Sequence, residues 1–404
     1  MSALHLSAGA VQRRALLQAA VFGTFSAALP RLVLAADAAI DARFVLVILR
    51  GALDGLAAVP AYGDGNYESQ RGSLAINAPA LRLNGLFALN PGLPHLYERY
   101  QAGELTVFHA AASCYRERSH FDGQDVLENG AVQAGLVRDG WLNRTLSVLP
   151  AARARTTEEL AVALSQNLPL VLRGDERVNS WAPSRLPHTD TDTLQRIEDM
   201  YASEPYFAER LHAALLANDV ANGESRTGDR DPLGQFSQIA SAAGNLLAPE
   251  KGARIAVMEA TGWDTHANQG AEQGQLANRL RALDAGLDTL RTSLGAAWSR
   301  TVVMVVTEFG RTVAVNGTRG TDHGTATCAF LVGGAVAGGK VVADWPGLAS
   351  ASLYQGRDLR PTLDLRSVFK GVLAAHLNVR AADLETRVFP DSQSAKPMDG
   401  LLRA

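Results

Sequence analysis

Four apolar runs rich in β-branched residues constrain this chain most: Phe44–Leu49 (FVLVIL), Ile255–Met258, Val302–Val306 and Ala329–Val332. Apolar runs without alternation suit strands buried on both faces, the habit of a parallel sheet with helices on either side. A further strand is expected at Leu105–Ala110, followed by a helix from Ser119 to Asn129, and shorter strands at Leu160–Leu164 and Leu170–Leu172. Leu276, Leu280, Leu283, Leu287, Leu290 and Leu294 recur at helical spacing, placing one leucine stripe on a long helix against the sheet. That helix joins the Ile255 strand to the Val302 strand as a βαβ crossover. A last helix, Leu365 to Leu377, carries Val368, Phe369, Val372 and Leu373 on its inner face. The expectation is a three-layer α/β fold with a mostly parallel central sheet. From about Asn179 to Asn245 polar turns lead into helices rich in charge and alanine, which predicts a helical insertion over the sheet, with Gly223–Gly234 as its flexible loop.

The first forty residues read as an address. Arg13-Arg14 precedes the uncharged stretch Ala15–Leu29, then Pro30 and small residues with cleavage expected after Ala35 or Ala38. This is an export signal of the twin-arginine type, which carries folded proteins. It implies the twin-arginine machinery as a partner and a periplasmic or secreted product, residues 39–404, with no transmembrane segment. The uncharged run is shorter than the ~20 residues that span a bilayer. A formal net charge of -3 and the lack of any basic run exclude nucleic acid as a partner. Two cysteines, Cys114 and Cys328, make no disulfide framework and read as small buried hydrophobes.

Residues able to do chemistry collect beside the expected strands. Asp264 and His266, at i and i+2 past a strand end, point to one side of extended backbone and could share a metal ion, although Asp264 could equally cap a helix. Glu308 closes the strongest strand; it either ligates metal while Arg311 clamps an anionic substrate, or pairs with Arg311. Asp322-His323 sits in a glycine- and threonine-rich loop, and Asp54 in an Asp-Gly turn after the first strand. Ser119 opens a helix, either as a cap or as a nucleophile beside orphan amides. Its neighbour His120 is a metal or acid/base candidate, and His109 a weaker one. Gly334 to Val341 lacks the hydroxyl of a P-loop, and there is no G-x-S-x-G elbow.

Taken together, the leader, Arg50-Gly-Ala-Leu-Asp54-Gly55, Arg118-Ser-His-Phe-Asp-Gly-Gln-Asp125, Gly262-Trp-Asp-Thr-His266, Thr307-Glu-Phe-Gly-Arg-Thr312 and Gly320-Thr-Asp-His-Gly324 resemble the exported family known as domain of unknown function 1501, in the alkaline phosphatase and sulfatase clan. The resemblance implies an alkaline-phosphatase-like core with a site for two divalent metals. It suggests Asp54, Asp264, His266, Glu308, Asp322 and His323 as ligands and Ser119 or a water as nucleophile. Zinc or manganese suits such a mixed donor set, and magnesium or calcium suits it where carboxylates dominate. The implied activity is hydrolysis of phosphate or sulfate esters, on an anionic small molecule or polymer. The rival expectation is a non-catalytic periplasmic binding or assembly protein on the same scaffold.

Overall fold

A computed structural model of the chain describes residues 41–77, 79–150, 156, 160–183 and 232–403, with isolated positions between 196 and 211. The expected leader, most of the 179–245 insertion and the 223–231 part of its loop lie outside the described residues.

The strands are β1 (Arg43–Arg50), β2 (Leu81–Arg82), β3 (Ala88–Leu89), β4 (Leu105–Ala112), β5 (Ala161–Leu164), β6 (Asn179–Ser180), β7 (Ile255–Thr261), β8 (Thr301–Thr307), β9 (Thr327–Val332), β10 (Lys340–Val342) and β11 (Leu363–Asp364). All but β2 and β3 form one nine-stranded sheet of order β10-β4-β9-β8-β1-β7-β5-β6, with β11 beside β4. β1 lies parallel to both β7 and β8, and β5 is parallel to β7 and β6. Only β9 runs against its neighbours β4 and β8. The α/β class and mostly parallel sheet expected from the apolar runs are therefore present.

The runs lack alternation because both faces are covered. Val45, Val47 and Leu49 of β1 pack on one side with the leucine stripe of helix Gln275–Leu294, which lies beside helix Pro232–Leu247. Phe44, Leu46 and Ile48 pack on the other with Trp141, Leu146 and the helix Leu365–Leu377. Each such side chain fully removed from water contributes about 1.5–3 kcal/mol. The helix Gln275–Leu294 carries the chain from β7 to β8 across β1, as a crossover requires.

Leu170–Leu172 corrects one expectation, since it is a 3-10 turn. The amide of Val171 donates to Glu128 Oε2 at 3.0 Å, so this backbone is satisfied by a side chain and has no need of a ladder. Both cysteines are free, Cys328 buried and Cys114 half-buried. No helix among the described residues is long and apolar enough to cross a membrane.

Two histidines are committed to the core. His109 Nε2 bonds the carbonyl of Val59 at 2.9 Å while its Nδ1 accepts from the Ala110 amide, and His376 Nε2 bonds the Arg43 carbonyl at 2.8 Å. Burial depresses each from 6.5 to about 4. The unfolded chain takes up these protons below about 6.5, whereas the folded chain resists until about 4. Stability is therefore held above that window and lost as pH falls through it. Urea denaturation should show the midpoint dropping between these pH values, with a shallower drop in His376→Gln, which keeps a donor for Arg43 and cannot titrate.

Candidate metal centre

The polarity of the sheet assembles the site. Residues 51–54, 113–120, 262–266 and 308–311 follow the carboxyl ends of β1, β4, β7 and β8, and the reversed β9 brings 320–324 to the same edge. This edge is where open α/β sheets bind ligands. The chains approach closely there: Gly51 has φ +120°, and a Cβ on it would meet the Asp264 amide nitrogen at 2.6 Å. Pairing of Arg311 with His323, and the bond from the Thr312 amide to the Asp322 carbonyl at 2.9 Å, holds the last loop against the end of β8.

His120, Asp264 and His323 offer three ligand atoms within 4.8 Å of one another. His120 Nε2 lies 3.5 Å from Asp264 Oδ2, and His323 Nε2 3.3 Å from Asp264 Oδ1. His266 adjoins them, its Nε2 2.9 Å from Asp264 Oδ1 and 3.0 Å from His323 Nε2.

Behind each ring stands an acceptor. His120 Nδ1 is 2.8 Å from Glu308 Oε1, His323 Nδ1 is 2.9 Å from the Arg118 carbonyl, and His266 Nδ1 is 3.3 Å from Asp322 Oδ1. Carbonyl and carboxylate oxygens only accept, so the Nδ1 atoms of His120 and His323 carry protons and their Nε2 atoms turn to the centre, whereas His266, with Asp264 Oδ1 2.9 Å from Nε2 and Asp322 Oδ1 3.3 Å from Nδ1, has an acceptor at both nitrogens. His120 Nε2 is buried without any hydrogen-bond partner. His266 Nε2 and His323 Nε2 lie 3.0 Å apart, so either one ring carries its proton on Nε2 and donates to the other, or a metal ion takes both lone pairs.

The charges agree with this arrangement. Burial opposes ionisation of Glu308, but hydrogen bonds led by that from His120 hold its carboxyl below the ordinary range. The same bond raises His120, against desolvation. Burial, with the charges of His120 and Arg311, lowers His323, which favours the neutral, ligating ring. For Asp264, burial pushes upward, yet the hydrogen bond and charge of Arg311 keep it low. The amide of Asn316, followed by His266, does the same for Asp322 against burial.

Residues 110–388 match the family described as protein of unknown function (DUF1501). This chain belongs to that family. No curated protein matches it in sequence. Among solved structures, it is similar to Ps i-CgsB in complex with k-i-k-neocarrahexaose, at 12% identity over 88% of this chain and 77% of that one, with TM-score 0.44. It is also similar to the C-terminal periplasmic domain of EcEptC from Escherichia coli in complex with Zn, at 10% identity over 72% of each chain, with TM-score 0.36. A third is TAB5 alkaline phosphatase with Mg bound, at 13% identity over 72% of this chain and 90% of that one, with TM-score 0.32.

The expected site residues in this DUF1501 chain divide into tiers. Asp264, His266, His323 and His120 converge, whereas Glu308 and Asp322 stand behind rings. Asp54 lies apart: its Oδ2 accepts from Arg71 at 2.5 Å and Gln269 at 2.7 Å, and its Oδ1 caps the Ala57 amide at 3.1 Å. The substrate clamp expected of Arg311 is not what the geometry provides. Its side chain has 0% exposure, and its nitrogens bond Thr321 and, at 2.5 Å, Asp264 Oδ1, because the loop pairing draws it under the centre. Ser119 precedes the helix His120–Asn129, and its side chain makes no capping bond to it.

Sequence reasoning missed Arg71 and Gln269. Gln269 is fully buried, and its Oε1 accepts from Thr265 and Thr321 at 2.7 Å each. Nothing in the Ala267-Asn268-Gln269-Gly270 segment distinguishes it from an exposed turn.

In metal-free protein, NMR titration of ring protons should place His120 above and His323 below the ordinary imidazole range. Glu308→Gln should bring the His120 value down; an unmoved His120 would show that Glu308 does not set its charge.

Proposed function

We propose that this protein is exported and is a metal-dependent hydrolase of phosphate or sulfate esters, its ion held by His120, Asp264 and His323 with His266 beside them. One observation carries the reading: imidazole Nε2 atoms, each fixed by an acceptor on the far side of its ring, converge with one carboxylate. Ligands about 2.0–2.1 Å from a tetrahedral zinc stand ~3.3 Å from one another; each Nε2 here stands 2.9 to 3.5 Å from the Asp264 carboxylate, and the ligand atoms of His120, Asp264 and His323 all lie within 4.8 Å of one another. The donor set suits zinc, or manganese in a looser geometry.

When bound, such an ion polarises an ester oxygen and lowers the pKa of a bound water. The chain's own groups prepare the place for it. Glu308 and the Arg118 carbonyl would hold His120 and His323 in the ligating tautomer, Asp322 would back His266, and Arg311 would aim Asp264. Ser119, next to His120 at a helix N-terminus, would be the hydroxyl that competes with water as nucleophile. Orphan amides of that helix favour an anionic group in the substrate. The ester class follows from the resemblance to the phosphatase and sulfatase clan, and export from the twin-arginine leader.

Mature protein supplied with zinc or manganese and then desalted should retain metal by elemental analysis and melt higher than metal-free protein. At a free-metal concentration of 100 Kd the gain is about 2.7 kcal/mol. Glu308→Gln should weaken metal binding ~10–100-fold, and Asp264→Ala or His323→Ala more severely. Aryl phosphate, phosphodiester and aryl sulfate substrates then decide the chemistry. Failure to retain any metal would sink the proposal; retention with no turnover on all three would leave a metal-binding protein without this activity.

A further inference from the structure

We propose that the centre takes a single divalent ion, and that Arg71 supplies, as a fixed guanidinium beside Asp54, the positive charge a second ion would otherwise bring. The inference rests on the metal reading above and specifies its stoichiometry.

The carboxylates decide it. Asp54, expected as a ligand, is buried and has three donors: Arg71 Nη2, Gln269 Nε2 and the Ala57 amide. Arg71 has a side chain of 0% exposure, and its Nη1 also donates to the carbonyl of Val313 at 2.9 Å. Displacing the guanidinium in favour of an ion would strand a buried unpaired charge, which is strongly unfavourable. Glu308 is no freer, with Oε1 bonded to Gly51, His120 and Gln124 and Oε2 to Thr307. Asp322 Oδ1 serves His266 and Asn316. Among the described residues, His120, Asp264 and His323 are the one group whose ligand atoms come together, with His266 Nε2 beside them, a single coordination set.

Arg71 and Asp54 also connect to that set. Gln269 Nε2 holds Asp54 while its Oε1 holds Thr321, whose hydroxyl accepts from Arg311 Nε at 3.2 Å, and Arg311 holds Asp264. A guanidinium at one end of this chain of bonds and a metal ion at the other would each balance a carboxylate.

Elemental analysis of the mature wild-type protein after loading with excess zinc and desalting should give one ion per chain. Two ions per chain would overturn the inference while leaving the metal reading intact, and none would remove both. As a second measurement, the double variant Asp54→Asn with Arg71→Met deletes both charges together and strands neither. It should bind zinc by calorimetry with the same stoichiometry and a Kd changed less than ~10-fold, the lower limit for loss of a group that orients a ligand. Loss of the ion in that folded variant, judged by circular dichroism, would show Asp54 to be a ligand and overturn the inference.

Discussion

The carboxylate of Glu308 is the interaction on which the rest of the edge depends. It closes β8 in full burial, where an ionised group without partners would be far too costly to keep. Its partners come from three directions: the Gly51 amide after β1, His120 and Gln124 on the helix after β4, and Thr307 in its own strand. A single buried charge therefore ties the helix after β4, which no backbone ladder joins to β8, to the paired ends of β1 and β8. Its demand for donors also sets the tautomer of His120, so a stability requirement and a chemical one are met by the same bond.

A second buried network sits under the other half of the centre. Asp54, Arg71, Gln269, Thr265, Thr321 and Arg311 are all buried, and each bonds at least one other. Apolar residues of similar volume would often stabilise such a place as well or better. What polar groups add is direction: an amide that accepts two hydroxyls and donates to a carboxylate has one orientation, and the guanidinium it indirectly supports has one aim at Asp264. The centre is thus built on groups that cannot rotate without leaving a buried donor or acceptor unpaired.

Much of the fold was legible because strands buried on both faces write themselves as continuous apolar runs, and the Leu276 to Leu294 stripe has no reading but a helix. Leu170–Leu172 misled because three apolar residues fit either a short strand or a turn, and the deciding partner, Glu128, lies 43 residues away. At the site, residue types and sheet edge were legible, since Asp264, His266 and His323 all stand beside strands. Tiers were not. Whether a carboxylate meets the centre or the back of a ring depends on a few ångströms of loop path, and Arg71, which binds Asp54, sits in a short Tyr67–Arg71 helix that nothing in the sequence marks.

The backbone records the demand of this edge independently of side-chain chemistry. Ala52, Arg118, Asn268 and Arg319 hold positive φ, at 64°, 64°, 47° and 60°, and each lies in a loop that carries or supports the centre. Left-handed backbone costs an ordinary residue roughly 1–2 kcal/mol, so such residues persist where surrounding bonds over-determine them. Arg118 shows how: Asp358 binds its guanidinium on one side, and its carbonyl receives His323 Nδ1 on the other. Relaxing that φ would turn the peptide and take away the acceptor that fixes the ring. Strain there is the cost of placing a carbonyl where only a histidine proton needs it, which ties the local conformation to the centre rather than to the packing of the core.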